Sequence, residues 1–575
     1  MLPLLQIKNL LVDFPGTENQ NIALDNFNLD LNPGEMLAVV GESGSGKSVM
    51  ALTLMRLLSP SARVRSGSII FSPDGEQSVD LPGLSEKKFR TFRGNRLSMI
   101  FQDPMTSLNP LMCCGDQLVE PLMLHKKMDR TQAREEAIRL FEKVELPEPE
   151  KIFKRFPHEL SGGQKQRVMI SIAISCKPSL LICDEPTTAL DVRVQKTILD
   201  LLKSLCRSEN MGMIFITHDL GLVADLADRV LVMLRGKLIE SGPVSEIFAN
   251  PQRPYTRGLL MCRPVLYHNG QRLPTVSDFM EGAKNIVPEN PKKSFTNSEP
   301  QKRGSLFLSV RNLGLRYGSV KNWFGRYKSY VYPVKDISFD VYRGETLGIV
   351  GESGSGKTSV GRALLGLNRP FTGRISYGQT ELLGLRKREL IEFRKNIQIV
   401  FQDPYSSLNP RLMIGAAIAE PYKVHHRLGL SERKNQVEGL LRKVDLRPEH
   451  YYRYPHEFSG GQRQRIVIAR ALALTPGLIV FDESVSALDV SVQAQVLNLI
   501  NELKRDLGFT AVFISHDLSV IRYLCDRVLV MEKGQIVESG ETENVYQHPQ
   551  TSYTRSLIDA IPGAGLKPEP TSGQS

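Results

Sequence analysis

A short pattern that occurs twice in the chain constrains its fold more than any other feature. Residues 41–48 and residues 351–358 each combine glycines with a lysine and a final hydroxyl residue, between a short apolar run and an apolar helical pattern. A strand, a glycine-rich turn and a helix in this order form a P-loop, whose backbone N–H groups and helix N-terminus bind phosphate. The bare pattern arises by chance in roughly a few per cent of chains this long. Chance does not explain two copies in the same context.

The predicted phosphate-binding residues are those of the two patterns themselves. In each pattern the lysine reaches the terminal phosphates, and the hydroxyl that follows it offers a ligand to Mg²⁺. The first copy consists of Gly41, Glu42, Ser43, Gly44, Ser45, Gly46, Lys47 and Ser48. The second copy consists of Gly351, Glu352, Ser353, Gly354, Ser355, Gly356, Lys357 and Thr358. We therefore expect two nucleotide-binding sites in one chain.

Further polar elements follow each P-loop, and they recur in the same order in both halves. They are a glutamine after an apolar strand, a Ser-Gly-Gly-Gln run before a helix, an Asp-Glu pair after a second strand, a single aspartate, and a histidine after a third strand. In the first half these are Gln102, Ser161, Gly162, Gly163, Gln164, Asp184, Glu185, Asp191 and His218. In the second half they are Gln402, Ser459, Gly460, Gly461, Gln462, Asp482, Glu483, Asp489 and His516. Because independent drift does not keep such a series in register, the repeat predicts two large, similar halves.

The residue types of this series suit phosphate chemistry. Two adjacent glycines cost a helix interior about 1 kcal/mol each relative to alanine, but at a helix N-terminus they expose N–H groups that a phosphate can approach. In each acidic pair the aspartate can hold Mg²⁺ through water, and the glutamate can orient and polarise a water for attack. A solvated surface pair is the alternative, although surface acids do not usually end a wholly apolar strand. The histidines lie beside two phosphate-binding elements, which favours a functional role over a structural one.

Aromatic residues leave more than one interpretation open. Phe14 and Tyr317 occupy matching places before the two P-loops, where a ring either stacks on adenine or is an ordinary strand residue. Residues 321–328 mix cations with aromatics. Such a stretch can stack on bases, lie at a lipid interface or form a loop packed on its own domain, and we favour the loop.

Composition restricts the class of protein. Of the 575 residues, 41% are hydrophobic and 23% are charged, as in soluble globular proteins. No stretch approaches the roughly 18 uncharged apolar residues that cross a bilayer, and the first residues lack the basic region of a secretion signal. The seven cysteines include no Cys-x-x-Cys pair, which argues against a disulfide framework or a zinc site. The net charge of +11 is spread out, which indicates a solvated basic surface, with an anionic membrane or nucleic acid as the alternative partner. We expect a cytosolic location.

The repeat and the local composition predict four segments. Residues 1–263 and 306–562 are the two domains. Residues 264–305 are rich in Pro, Asn, Lys and Ser, which predicts a flexible linker, and residues 563–575 are predicted to be a disordered tail. Residues 5–35 alternate apolar with polar positions, which predicts antiparallel strands leading into the first P-loop strand.

Together these motifs resemble those of tandem ATP-binding-cassette (ABC) ATPases, over nearly all of the chain. The resemblance makes the glutamines Q-loop residues, the Ser-Gly-Gly-Gln runs signature motifs, the acidic pairs Walker B ends, Asp191 and Asp489 D-loop residues, and the histidines switch histidines. It implies an α/β fold of two P-loop NTPase cassettes, each with a RecA-like core, an antiparallel β subdomain and a helical subdomain. Residues 101–110, 250–257 and 454–458 further resemble ATPases of bacterial oligopeptide and dipeptide importers.

The resemblance also implies how such a chain works. The two cassettes close head-to-tail on two ATP molecules, so that each P-loop faces the signature motif of the other half. The implied catalytic residues are Glu185 and Glu483 at the attacking water and His218 and His516 at the γ-phosphate. The implied Mg²⁺ ligands are Ser48, Gln102 and Asp184 in one site and Thr358, Gln402 and Asp482 in the other. Ser484 replaces Pro186 and Phe458 replaces Leu160 between the halves, but neither change removes a catalytic group, and we expect two competent sites.

The implied partners are two transmembrane permease subunits and a periplasmic solute-binding protein, with this chain peripheral to the cytoplasmic face of the bacterial inner membrane. The implied solute is glutathione or another short peptide, with a microcin-type peptide, an oligopeptide or nickel as alternatives. A soluble ABC protein that acts on ribosomes or nucleic acid is a different class. Translation factors of that class have a long charged helical linker, whereas the predicted linker of this chain is short and rich in proline. Repair proteins of that class have zinc-binding cysteines, which this chain lacks. We therefore expect no nucleic-acid partner. Some peptide-importer ATPases carry a cysteine-rich iron–sulfur segment after the cassette. In this chain that region has only Cys262, so we expect no iron–sulfur cluster.

Overall fold

The computed structural model describes residues 2–15, 21–187, 190–281, 304–321, 327–426, 428–486 and 488–562. In this part of the chain each half contains a four-stranded antiparallel sheet and a six-stranded mixed sheet. None of the helices described has both the length and the apolar character that a membrane span requires. Residues 563–575 and the side chains of 321–328 lie outside the described residues, and so do the predictions made for them.

The strands of the first half form two sheets with different roles. The antiparallel sheet has the order β2-β1-β4-β5, and the mixed sheet has the order β10-β9-β3-β8-β7-β6. Strands β3, β7 and β8 are buried along their whole length and almost wholly apolar, as expected where helices cover both faces of a parallel sheet. The strands are β1 (Leu5–Phe14), β2 (Asn21–Leu31), β3 (Met36–Val40), β4 (Arg63–Phe71), β5 (Val79–Asp80), β6 (Leu97–Ile100), β7 (Leu180–Asp184), β8 (Gly212–Thr217), β9 (Arg229–Leu234) and β10 (Lys237–Pro243).

The parallel strands bring the polar elements of the first half to one edge. Strand β3 pairs in parallel with β8, β8 with β7, and β7 with β6. The P-loop follows β3, Gln102 follows β6, the acidic pair closes β7 and His218 follows β8. The carboxyl ends of parallel strands meet at the same edge, where open α/β sheets bind their ligands.

Helices cover the mixed sheet, and those between β6 and β7 form the helical subdomain. Helices α4, α5 and α7 of this subdomain pack through one buried cluster that includes Leu118, Phe141 and Val168. The helices are α1 (Lys47–Leu54), α2 (Glu86–Phe89), α3 (Pro104–Ser107), α4 (Cys114–Lys126), α5 (Arg130–Lys143), α6 (Pro149–Lys154), α7 (Gly162–Ile174), α8 (Val192–Ser208), α9 (Leu220–Leu226), α10 (Val244–Ala249), α11 (Pro254–Met261) and α12 (Val276–Met280), with 3₁₀ turns at Pro157–Glu159 and Pro264–Leu266.

The second half repeats this architecture, and the predicted fold class is confirmed. Its sheets have the orders β12-β11-β14-β15 and β16-β17-β18-β13-β19-β20. The strands are β11 (Leu306–Lys321), β12 (Tyr327–Tyr342), β13 (Thr346–Val350), β14 (Thr372–Tyr377), β15 (Thr380–Glu381), β16 (Ile397–Val400), β17 (Leu478–Asp482), β18 (Thr510–Ser515), β19 (Arg527–Glu532) and β20 (Gln535–Glu541). The helices are α13 (Lys357–Leu364), α14 (Lys387–Phe393), α15 (Pro404–Ser407), α16 (Ile414–His425), α17 (Leu430–Lys443), α18 (Gly460–Leu472), α19 (Val490–Leu507), α20 (Leu518–Leu524), α21 (Thr542–Gln547) and α22 (Ser552–Asp559), with 3₁₀ turns at Leu382–Gly384, Pro448–Tyr452 and Pro455–Glu457.

The beginning of the predicted linker is folded and contacts the second half. The backbone of Leu273 exchanges two hydrogen bonds with the side chain of Asn498, at 2.9 and 2.8 Å. The hydroxyl of Tyr523 donates to the carbonyl of Gln271 at 2.7 Å. Apolar residues of the segment, among them Leu273 and Val276, are buried in a cluster shared with the second half. Residues 264–281 thus join the two halves through ordered contacts. Their few apolar residues pack against the second half, and the composition of the segment does not predict this packing. The rest of the predicted linker, residues 282–303, lies outside the described residues.

Candidate active sites

The P-loops adopt a backbone that only glycine supports at several positions. Gly46 and Gly356 both have φ near 103°, in the left-handed region, immediately before helices α1 and α13. A Cβ atom on Gly46 would lie 2.5 Å from the carbonyl oxygen of Ala23, and one on Gly356 would lie 2.2 Å from that of Pro333. The glycines therefore allow both the turn and the close approach of the β subdomain to the loop.

The P-loop lysines are buried and bonded to their own loops. The Nζ of Lys47 donates to the carbonyl oxygens of Gly41 at 2.6 Å and Glu42 at 2.9 Å, and Lys357 repeats both contacts. Burial lowers the pKa of Lys47, although the nearby carboxylates, that of Asp489 foremost, act in the opposite direction. Each lysine is thus held inside its loop by two hydrogen bonds, at the place where the resemblance puts the terminal phosphates.

Two of the three predicted Mg²⁺ ligands contact each other in each half. The hydroxyl of Ser48 donates to Oδ1 of Asp184 at 3.1 Å, and that of Thr358 donates to Oδ1 of Asp482 at 2.9 Å. Burial raises the pKa of both aspartates, although the hydrogen bonds from the two hydroxyls act in the opposite direction. A hydroxyl and a carboxylate are oxygen ligands that suit a hard cation, whose charge would stabilise the buried carboxylate.

Each predicted catalytic glutamate contacts the Q-loop glutamine and the switch histidine of its own half. Glu185 accepts a hydrogen bond from Nε2 of Gln102 at 3.0 Å and lies 3.1 Å from Nδ1 of His218. In the second half Glu483 accepts from Nε2 of Gln402 at 2.8 Å and lies 3.3 Å from Nδ1 of His516. These contacts fix the direction of each carboxylate.

The backbone and the charge of these glutamates are also unusual. Glu185 and Glu483 have φ values of 48° and 47°, in the left-handed region that non-glycine residues rarely adopt. Burial alone would raise the pKa of Glu483, but the hydrogen bond and charge of His516 and the charge of Lys357 lower it. Burial alone would lower the pKa of His218, but its hydrogen bond to Glu185 and the nearby carboxylates raise it. A strained backbone and perturbed pKa values together are typical of functional sites.

The signature motifs open helices α7 and α18 with a capping box. The hydroxyl of Ser161 accepts from the N–H of Gln164, whose side-chain oxygen accepts from the N–H of Ser161, and Ser459 and Gln462 repeat the arrangement. These residues thus have a structural role in addition to the predicted contact with phosphate. Residues 161–164 are not among the described residues that line the cavity at the second P-loop.

Each P-loop is contacted by the D-loop segment of the opposite half. The N–H of Ser43 donates to Oδ2 of Asp489 at 2.8 Å, and Arg193 lies 2.6 Å from Glu352. A cavity of about 310 Å³ at the second P-loop has a lining from both halves, since Leu190 and Asp191 face Lys357 and Thr358 across it. We call this interface between the halves the seam.

For one pair of aromatic residues the prediction stays open, and a second pair was missed. Phe14 is half-buried at the end of β1, and Tyr317 accepts a hydrogen bond from Asn368 and does not line the cavity at the second P-loop, so adenine stacking stays a prediction. The sequence analysis missed Tyr255 and Tyr553, whose hydroxyls accept from the backbone N–H of Glu42 and Glu352 at 3.1 Å. The two tyrosines occupy matching positions in the repeat, and this match could have identified them from the sequence.

Comparison with known proteins agrees with the two-cassette architecture. Residues 24–188 and 334–486 match the family model of the ABC transporter, and residues 239–290 and 537–571 match the C-terminal region of the oligopeptide/dipeptide transporter. The glutathione import ATP-binding protein GsiA of Pectobacterium atrosepticum is 47% identical over 571 residues, which are 98% of this chain and 91% of that protein. The protein of the same name from Escherichia coli strain K12 is 46% identical over 566 residues, which are 97% of this chain and 90% of that one. The chain therefore belongs to the ABC transporter family, as an ATPase with two cassettes in tandem.

Proposed function

We propose that this chain is the energy-coupling subunit of a bacterial importer for glutathione or another short peptide. The observation that carries the proposal is the duplication of the predicted catalytic groups, with the P-loop of each half contacted across the seam by the other half. The names of the relatives support glutathione as the solute, and the match to the oligopeptide/dipeptide region supports a peptide more generally.

In the proposed reaction a water attacks the γ-phosphate of ATP, and the residues of each site position it. Phosphoryl transfer to water needs positioning and neutralisation of charge rather than covalent protein chemistry. Glu185 would orient the water while Gln102 and His218 keep its carboxylate in place. Mg²⁺, when bound, neutralises charge on the phosphates, and the oxygens of Ser48, Gln102 and Asp184 would hold it. Lys47 would exchange its bonds to the loop carbonyls for bonds to phosphate oxygens.

The second site would work in the same way with the matching residues. Glu483 would orient the water, with Gln402 and His516 around it, and Thr358 and Asp482 would face the metal. The opposing signature motifs would complete both sites when the seam closes. Closure would reach two permease subunits at the cytoplasmic face of the inner membrane through the segments after the two Q-loop glutamines, and a periplasmic solute-binding protein would deliver the solute.

The test is reconstitution of the intact chain with the permease subunits and the solute-binding protein, which are to be sought among the neighbouring genes. Proteoliposomes should take up labelled glutathione only with MgATP on the side of this chain, and the Glu185→Gln/Glu483→Gln double variant should abolish the uptake. Titration of the binding protein with glutathione, other short peptides and nickel identifies the solute. Co-purification with RNA in place of membrane subunits would overturn the proposal.

A further inference from the structure

The two halves differ at one matched position of the seam. Two residues after the D-loop aspartate, the first half has Arg193 and the second half has Ser491. Both side chains reach the glutamate in the opposite P-loop. Nη1 of Arg193 lies 2.6 Å from Oε1 of Glu352, and the hydroxyl of Ser491 donates to Oε1 of Glu42 at 2.5 Å. The same glutamate of the P-loop motif is therefore bound by a cation at one site and by a neutral hydroxyl at the other.

The surroundings of the two contacts differ as much as their charge. The side chain of Arg193 is 46% exposed and that of Glu352 is 34% exposed, whereas Ser491 has no exposed surface. The guanidinium of Arg193 also lies 6.0 Å from the ring centroid of Tyr553, and the hydroxyl of that tyrosine accepts from the N–H of Glu352. Arg193 thus contacts both Glu352 at the start of the second P-loop and Tyr553, which binds the backbone of that glutamate.

The position of Arg193 in its helix indicates that the contact across the seam matters. The residue lies in the first turn of α8, where the positive end of the helix dipole disfavours a cation. Glu352 supplies the compensating negative charge from the other half. Because both side chains are partly exposed, dissolved salt screens their attraction, while the partly buried hydrogen bond of Ser491, whose donor is a neutral hydroxyl, is less affected.

We propose that Arg193 is a positioning residue of the second ATP site, where its ion pair with Glu352 holds the P-loop against the first half. The proposal rests on the proposed function, in that both P-loops bind MgATP. Its consequence is that the two sites are unequal. The rate of nucleotide release from the second site increases with the salt concentration, and the rate at the first site increases less. Arg193 itself touches no substrate and acts through Glu352 and Tyr553.

The experiment measures the release rate of a fluorescent ATP analogue with Mg²⁺ from each site of the full-length chain. The Lys47→Ala background leaves the second site to bind, and the Lys357→Ala background leaves the first. At low salt, Arg193→Ser should speed release from the second site roughly two- to fivefold, the range that partly exposed ion pairs produce. The difference should disappear at high salt, and Arg193→Lys, which keeps the charge, should retain part of the salt dependence.

The outcomes separate this proposal from the function on which it rests. If neither background binds the analogue, the proposed function fails. If both bind it and Arg193→Ser leaves release from the second site unchanged at every salt concentration, the function stands and the role of Arg193 is overturned. An equal acceleration at the first site would also overturn it, because that result indicates a general loosening of the seam.

Discussion

The two cassettes are alike where the chemistry lies and different where they meet. The hydroxyl–aspartate distances are 3.1 and 2.9 Å, and the glutamine–glutamate distances are 3.0 and 2.8 Å. At the seam, in contrast, the D-loop aspartates have different partners. Asp489 accepts from the N–H of Ser43 in the opposite P-loop, whereas Asp191 accepts from the N–H of Val194 in its own helix. The two halves thus share the geometry of the predicted catalytic groups and differ in the contacts between the halves.

The catalytic groups give the sharpest test of the likeness. We expect Glu185→Gln and Glu483→Gln each to remove about half or more of the ATPase activity, and the double variant to lose about a hundredfold or more, as is usual when a group that activates water is removed. Steady-state phosphate release from the three variants measures this. Asp74→Asn, at an exposed residue between β4 and β5, serves as a control for handling. Full activity in one single variant would show that its site is idle.

Arg263 gives the largest expected difference between the halves in stability. It is 6% exposed, and Asp219 and Asp517, one from each half, line the same cavity at the seam. The matching residue of the second half is Ile561. Arg263→Ile leaves the two carboxylates without this cation, and we expect the free energy of unfolding to fall by about 3 kcal/mol.

Denaturant unfolding of the full chain measures that loss. Arg263→Lys keeps the charge and should recover part of it, although lysine lacks the second donor group that reaches the carbonyl of Pro562 at 3.0 Å. Unfolding of Arg263→Ile at the midpoint of the wild type would contradict the assignment.

The signature glycines differ between the halves in the space behind them. A Cβ on Gly461 would lie 2.2 Å from Cγ1 of Val492, and one on Gly163 would lie 2.9 Å from Cγ1 of Val194. Alanine gains up to about 1 kcal/mol over glycine in a helix, and overpacking costs about 1–3 kcal/mol. We therefore expect Gly461→Ala to destabilise the chain and Gly163→Ala to be close to neutral, as measured by denaturant midpoints. Equal midpoints for the two variants would show that Val492 gives way without cost.

The sequence predicts the groups within each half, and the family resemblance implies head-to-tail pairing, but neither predicts the individual contacts between the halves. Glu185 was predictable because it ends a wholly apolar strand, and the parallel sheet then carries it to Gln102 and His218. The partner of Asp489 was not, because the docking of two folded surfaces decides it. The same holds for residues 264–281, whose Pro- and Asn-rich composition indicates a linker although Leu273 lies buried against the second half.

The smallest expected effect concerns the charge of His218. Its pKa is raised in the folded chain, chiefly because the bond to Glu185 and the nearby carboxylates outweigh burial. A raised folded-state pKa stabilises the fold fully below the ordinary pKa of about 6.5, and the stabilisation is lost as the pH rises through the folded-state value. Glu185→Gln removes the nearest carboxylate, so the pKa of His218 should fall and this pH-dependent stabilisation should shrink. NMR titration of histidine-labelled chain, with His218→Asn to assign the resonance, measures the shift directly. An unchanged titration curve in Glu185→Gln would show that Asp489 and Asp219, rather than Glu185, hold the imidazolium.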